Sequence, residues 1–168
     1  MTATVKSRLM CVPRDAGQAM VEFMLVATFI MILFTSIVQM IMYMYAYTTY
    51  ADSAKEGVRY AIVHGTGRNS ANCSGPGNPS VTPALTCTDS TGNYVKDAVV
   101  NFGVLSFQNF ARADVTVDYN PNGANGAGAG CSAAGCLVRV TVAHTYTPLF
   151  FKWANFTLRA AADGRVMN

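Results

Sequence analysis

One carboxylate stands near the head of a long uncharged stretch. From Ala19 to Tyr47 the only formally charged side chain is Glu22. A carboxylate inside a membrane-length apolar segment costs about 3 kcal/mol or more, so it calls for a partner or a role. Five residues ahead of it stands Gly17, and Lys6, Arg8 and Arg14 make the preceding segment basic. The chemistry that this arrangement suits is charge pairing at a membrane edge.

The cysteines are the second chemical set. Cys11 lies in the basic segment, whereas Cys73, Cys87, Cys131 and Cys136 all follow the apolar run. Four cysteines in an exported region read as two disulfides, with three possible connectivities. Sequence neighbours pair most readily, which favours Cys73–Cys87 and Cys131–Cys136. The first would close a loop with a stabilisation of about 3 kcal/mol in the chain-entropy model. The spacings x13 and x4 fit no common zinc pattern, so no metal is expected.

Catalysis finds little support. His64 and His144 have no carboxylate or cysteine spaced to pair with them, and His144 is expected to face out of a strand. G-x-S-x-G, H-E-x-x-H and a phosphate loop are absent. The Gly-rich run at 123–130 lacks the strand–helix context of a nucleotide site and reads as a linker. No enzyme activity and no cofactor are expected.

The chain has 168 residues, 51% hydrophobic and 12% charged, and a mean hydropathy of +0.25. A soluble domain carries about twice that charge. The net charge is +3, of which Lys6, Arg8, Arg14 and Asp15 supply +2, leaving no basic patch for nucleic acid. The apolar run exceeds the roughly 7–15 residues of a secretory signal core. About 20 residues cross the hydrocarbon layer, and Phe23 to Met44 suffices. Charge ahead of the span exceeds charge close behind it, which favours an N-terminus in the cytoplasm and the remainder outside.

These residues need elements to position them. Residues 1–17 read as a leader, in which Val12-Pro13-Arg14 discourages helix. From Gln18 to His64 nothing breaks a helix, so residues 18–64 form one, membrane-spanning over about 23–44. Its second half is amphipathic. Tyr47, Tyr50, Ala51, Ala54, Val58, Ala61 and Ile62 form a stripe that packs on the protein's own domain, opposite Thr48, Asp52, Lys55, Glu56 and Arg59. Tyr43, Tyr45, Tyr47 and Tyr50 would lie near the outer membrane interface. Gly65 is a candidate cap for the helix end.

Residues 65–168 form the exported domain. Tyr94 to Phe102 predicts a short second helix, and Ala113 to Tyr119 a strand. Pro121 to Gly135 reads as a mobile connection pinned by the second disulfide. Leu137 to Tyr146 is the strongest strand, and Phe156 to Ala162 a last one, ended by Asp163-Gly164. Phe150, Phe151 and Trp153 form an apolar tip, read as core or membrane-proximal packing. The expected class is α+β: a long N-terminal helix leading into a small antiparallel sheet with a short second helix.

The motif Gly17-Gln18-Ala19-Met20-Val21-Glu22-Phe23, followed by a span, resembles the TadE-like family of tight-adherence (Tad/Flp) type IV pilus proteins. Its members typically begin with G-Q-A-x-V-E-F. Ala54-Lys55-Glu56-Gly57-Val58-Arg59-Tyr60-Ala61 is similar to the family's A-R-E-G-A-R-Y-A segment. The resemblance implies a pseudopilin or minor pilin that contributes to pilus assembly and surface adhesion. A prepilin peptidase would cut after Gly17, and Gln18 would become the new N-terminus. Its partners would be other pilins, that peptidase, the inner-membrane assembly machinery and membrane lipid. Glu22 would be the assembly glutamate.

Physical chemistry gives that glutamate a reason. The new amine of Gln18 would be a cation one helical turn from Glu22. In a filament a neighbour's amine could replace it, and a desolvated pair is tolerable only with both partners present. The alternative is an uncleaved single-pass envelope or adhesion protein, in which Glu22 merely sits at the interface.

Overall fold

The computed structural model describes residues 14–65, 73–76, 87–126, 130–150, 152 and 155–167. The readings of Cys11, Phe151 and Trp153 lie outside the described residues. The chain divides into two compact units, Met1–Met40 and Ile41–Asn168.

Helix α1 spans Arg14–Val63, a run of 50 residues. It starts earlier than the sequence suggests. The restriction that a proline imposes falls on the residue before it, here Val12, and leaves Arg14 free to open the helix. In the first unit the helix presents apolar side chains all round, with Phe23 and Leu25 among the most exposed. Its hydroxyls turn inward: Thr28 Oγ1 donates to Met24 O at 2.8 Å and Ser36 Oγ to Ile32 O at 2.8 Å. Polar groups satisfied by their own backbone suit a helix with no water around it. The helix is long and apolar enough to cross a membrane.

The second unit is an α+β domain. After α1 come helix α2 (Asn93–Gly103), β1 (Val115–Asp118), β2 (Leu137–Tyr146) and β3 (Phe156–Arg165). The strands form one antiparallel sheet in the order β1-β2-β3. The strand with the strongest apolar alternation is thus the central one. Val142 lies between Val115 and Ala160 in register. Val138, Val140 and Val142 are fully buried, with Val115 and Leu158 beside them. Val95 and Val99 of α2 complete that core, with Ala46, Tyr50, Ala54, Val58 and Ala61 of α1.

β3 does not stop at Asp163-Gly164. Arg139 and Asp163 are register partners, and the guanidinium donates twice to the carboxylate, at 2.6 and 2.8 Å. That bidentate hydrogen bond holds the Asp163 carboxyl below its ordinary range and keeps the strand pair closed. Gly164 fits because α1 packs directly on it: an added Cβ would stand 2.7 Å from Ile62 Cδ1. Beyond it, Val166 N–H donates to Cys136 O at 2.9 Å.

Of the stripe residues Tyr47 is exposed, whereas Tyr50, also read as interfacial, is core. It is fully buried, its ring meets Phe110 edge-on at 5.2 Å, and its hydroxyl donates to Gln108 O at 3.3 Å. Burial wins because this tyrosine lies on the stripe that faces the sheet. His64 closes the helix. Its backbone N–H and its ring Nδ1 both reach Tyr60 O at 3.0 Å, and its ring stacks on Tyr60.

The segment after Pro121 is not a free connection. Asn125 clamps it: its Nδ2 donates to Tyr119 O and Leu137 O, and its Oδ1 accepts the Leu137 N–H. One amide side chain thereby ties the end of β1 to the start of β2, which is a long-range pairing that composition does not reveal.

Disulfides join Cys73 to Cys87 and Cys131 to Cys136, with Cα–Cα distances of 5.6 and 5.8 Å. Just past the first, Ser74 and Asp89 form a parallel bridge. Asp89 then starts α2, its carboxylate accepting the N–H groups of Asn93 at 2.8 Å and Tyr94 at 2.6 Å. These are orphan donors of the first turn, and the carboxylate complements the helix dipole. Ser74 also reaches the buried Tyr119 hydroxyl at 3.4 Å. Gly75 (φ +111°) and Gly92 (φ +72°) crowd this tyrosine, and a Cβ on either would overlap it. Burial pushes the Tyr119 phenol up to about 12, against the opposing pull of Ser74.

Candidate assembly segment

The residues singled out for assembly all lie on α1. Gly17 and Gln18 are exposed within its first turns, and a Cβ on Gly17 would meet no other atom within 4 Å. Glu22 is exposed too, four residues after Gln18 and so on the same helix face. The structure therefore places Gln18 and Glu22 where the amine of a chain beginning at Gln18 would be one turn from a carboxylate. Around them the surface is apolar: Met20, Val21, Phe23 and Met24 are all more than half exposed.

The second motif does a different job. Ala54, Gly57, Val58 and Ala61 point into the domain core, while Lys55 and Arg59 face outward. Lys55 pairs with Asp52 at 2.9 Å and Arg59 with Glu56 at 3.7 Å, both at i,i+3 spacing on the exposed face. Gly57 is the point of closest approach. A Cβ there would overlap Val99 Cγ2 and stand 3.2 Å from Val140 Cγ1. A small residue is required because α1 meets α2 and β2 together at this position. Ser53 is fully buried nearby and turns its hydroxyl to Thr49 O at 2.7 Å. The amphipathic stripe missed it, because a serine does not register as apolar although it buries well once its hydroxyl is bonded.

His144 has a carboxylate partner after all. Its Nδ1 lies 2.9 Å from Asp114 Oδ2, across 30 residues of sequence. Asp114 Oδ2 also accepts the Ala111 N–H at 2.9 Å, and the Tyr50 ring meets the imidazole edge-on. A histidine on a central strand meets an acid from the turn before β1 only because β1 pairs with β2. The group ties that turn to the sheet. Among the described residues no cluster of three or more histidine, cysteine or acidic side chains could hold a metal ion.

The model of the family described as TadE-like protein matches residues 17–59. No curated protein and no solved structure matches the chain. The matched segment holds Gly17, Gln18 and Glu22 at one end and the buried Ala54-Gly57-Val58 packing surface at the other. Over residues 17–59 this chain is therefore similar to the TadE-like family.

Proposed function

We propose that this chain is a pseudopilin or minor pilin of a Tad-type pilus. A prepilin peptidase cuts between Gly17 and Gln18. The helix anchors the chain in the inner membrane over about residues 23–44, with the N-terminus in the cytoplasm and the disulfide-bonded domain outside. There the protein contributes to pilus assembly and surface adhesion through other pilins and the assembly machinery. Its role is structural rather than catalytic.

The observation that carries this reading is the TadE-like match beginning at Gly17, on a helix that is exposed and apolar through the following residues. Glu22 gives the assembly step its physical basis. In the bilayer it is costly alone and tolerable when paired with a neighbour's N-terminal amine. The open position of Gly17 supports access by a peptidase.

The test is the N-terminus of the mature protein. Coexpression with the matching prepilin peptidase should yield a chain that starts at Gln18, and Gly17→Ala should leave it uncut. Identical intact masses for wild type and Gly17→Ala would replace this reading with that of an uncleaved, membrane-anchored envelope protein.

A further inference from the structure

The domain has two distinct ends. At one, the α1 terminus meets β3: Met167 N–H donates to Ile62 O, and Gly164 lies against Ile62. At the other, Tyr43 of α1 meets Tyr146 of β2 edge-on at 5.7 Å. Two loops close around this second end. The Tyr45 hydroxyl donates to Leu105 O at 3.1 Å, and Gln108 Nε2 donates to Thr147 O at 2.6 Å. The loops leave Val104, Leu105, Phe107, Leu149 and Phe150 exposed, Leu105 by 69% and Phe107 by 51%. On α1 itself Ile41 and Met44, on either side of Tyr43 in sequence, are exposed. Residues 98–111 and 145–151 carry no formal charge, and the exposed Lys152 follows directly.

We propose that this end of the domain is a lipid-contacting collar, whose loops 104–107 and 147–150 dip into the outer interface of the bilayer that α1 enters. The proposal rests on the reading of α1 as the membrane anchor. Solvent alone does not suit five large apolar side chains in two uncharged loops. Lipid is the occupant because the patch continues the apolar surface of α1 at Ile41 and Met44. Tyrosines at 43, 45 and 47 occupy the same level, as in an interfacial aromatic belt. Lys152 at the margin can place its ammonium among anionic headgroups while its stem stays apolar. From Thr48 onward the outward face of α1 turns polar, which sets the depth of immersion.

The full chain in vesicles of phosphatidylethanolamine and phosphatidylglycerol tests this. It is labelled with a lipid-phase carbene reagent or with a water-phase one, then mapped by mass spectrometry. Lipid-phase label is expected on residues 20–40, on 104–107 and on 149–150, but not on β1 at 116–118 or β3 at 161–165. Leu105→Glu together with Phe107→Glu should abolish lipid-phase labelling of 149–150 while that of 20–40 persists. Lipid-phase label confined to 20–40, with the collar reached by the water-phase reagent, overturns the collar and leaves the anchor standing. Failure to label 20–40 overturns the anchor as well. Water-phase labelling of the collar in vesicles that disappears in assembled pili assigns the patch to a neighbouring subunit, and likewise overturns the proposal.

Discussion

Gly57 of α1 lies so close to Val99 of α2 that a methyl group on its α-carbon would overlap Val99 Cγ2. Gly17, forty positions earlier on the same helix, has open space in that direction. The two glycines of the TadE-like segment thus answer to different demands, and the same substitution should separate them.

Gly57→Ala is expected to destabilise the domain. Alanine gains about 1 kcal/mol of helix propensity over glycine. Overpacking against Val99 and Val140 costs about 1–3 kcal/mol, and the neighbours are themselves buried, so the balance is unfavourable. Thermal unfolding of the full chain in detergent should show a lowered midpoint. Gly17→Ala should leave the midpoint unchanged or raise it slightly. An unchanged midpoint for Gly57→Ala would mean that α1 yields at this contact.

Glu22→Leu removes a charge that disfavours the bilayer, so membrane levels should hold or rise. In the proposed assembly it also removes the partner of a neighbour's amine. Cleavage should remain normal while incorporation into pili falls, as read by immunoblots of membrane and sheared-pilus fractions. Wild-type incorporation would reduce Glu22 to an interface residue.

Asp89→Ala should loosen the start of α2. Asn93 and Tyr94 lose the carboxylate that accepts their N–H groups, and the loss of such a cap costs about 0.5–2 kcal/mol. Amide exchange at these two residues should accelerate, while the Asn125 clamp at Leu137 keeps its protection. Asp89→Asn, which keeps one acceptor oxygen for these two N–H groups, should restore only part of the protection.

Tyr119 should make the domain sensitive to alkali. Its folded value of about 12 lies above the ordinary 10.0, so its contribution is complete below pH 10 and is lost as the pH rises from 10 through 12. A difference of that size corresponds to about 2–3 kcal/mol. The denaturation midpoint of wild type should fall across that window. Tyr119→Phe, which has no phenol to ionise, should show a shallower decline. Equal declines would mean that other groups govern alkaline unfolding.

Much of this protein is determined by local pattern. The length and polarity of Ala19–Tyr47 prescribe an apolar helix, because nothing else satisfies its backbone out of water. Alternation over Leu137–Tyr146 prescribes a strand, and the observed β2 has those bounds because one side chain in two faces the core. The TadE-like motifs are also local, being short runs at fixed spacing on one helix. Tertiary structure decided what depends on distant residues meeting. Tyr50, which local pattern puts on both the stripe and the belt, became core because α1 turns that face to the sheet. Asp163 and Gly164 stayed in β3 because Arg139 and Ile62 receive them. His144 found Asp114, and Asn125 found Leu137, only once β1 had paired with β2. A periodicity records which face of an element is buried, whereas the identity of the partner on that face depends on the path of the whole chain.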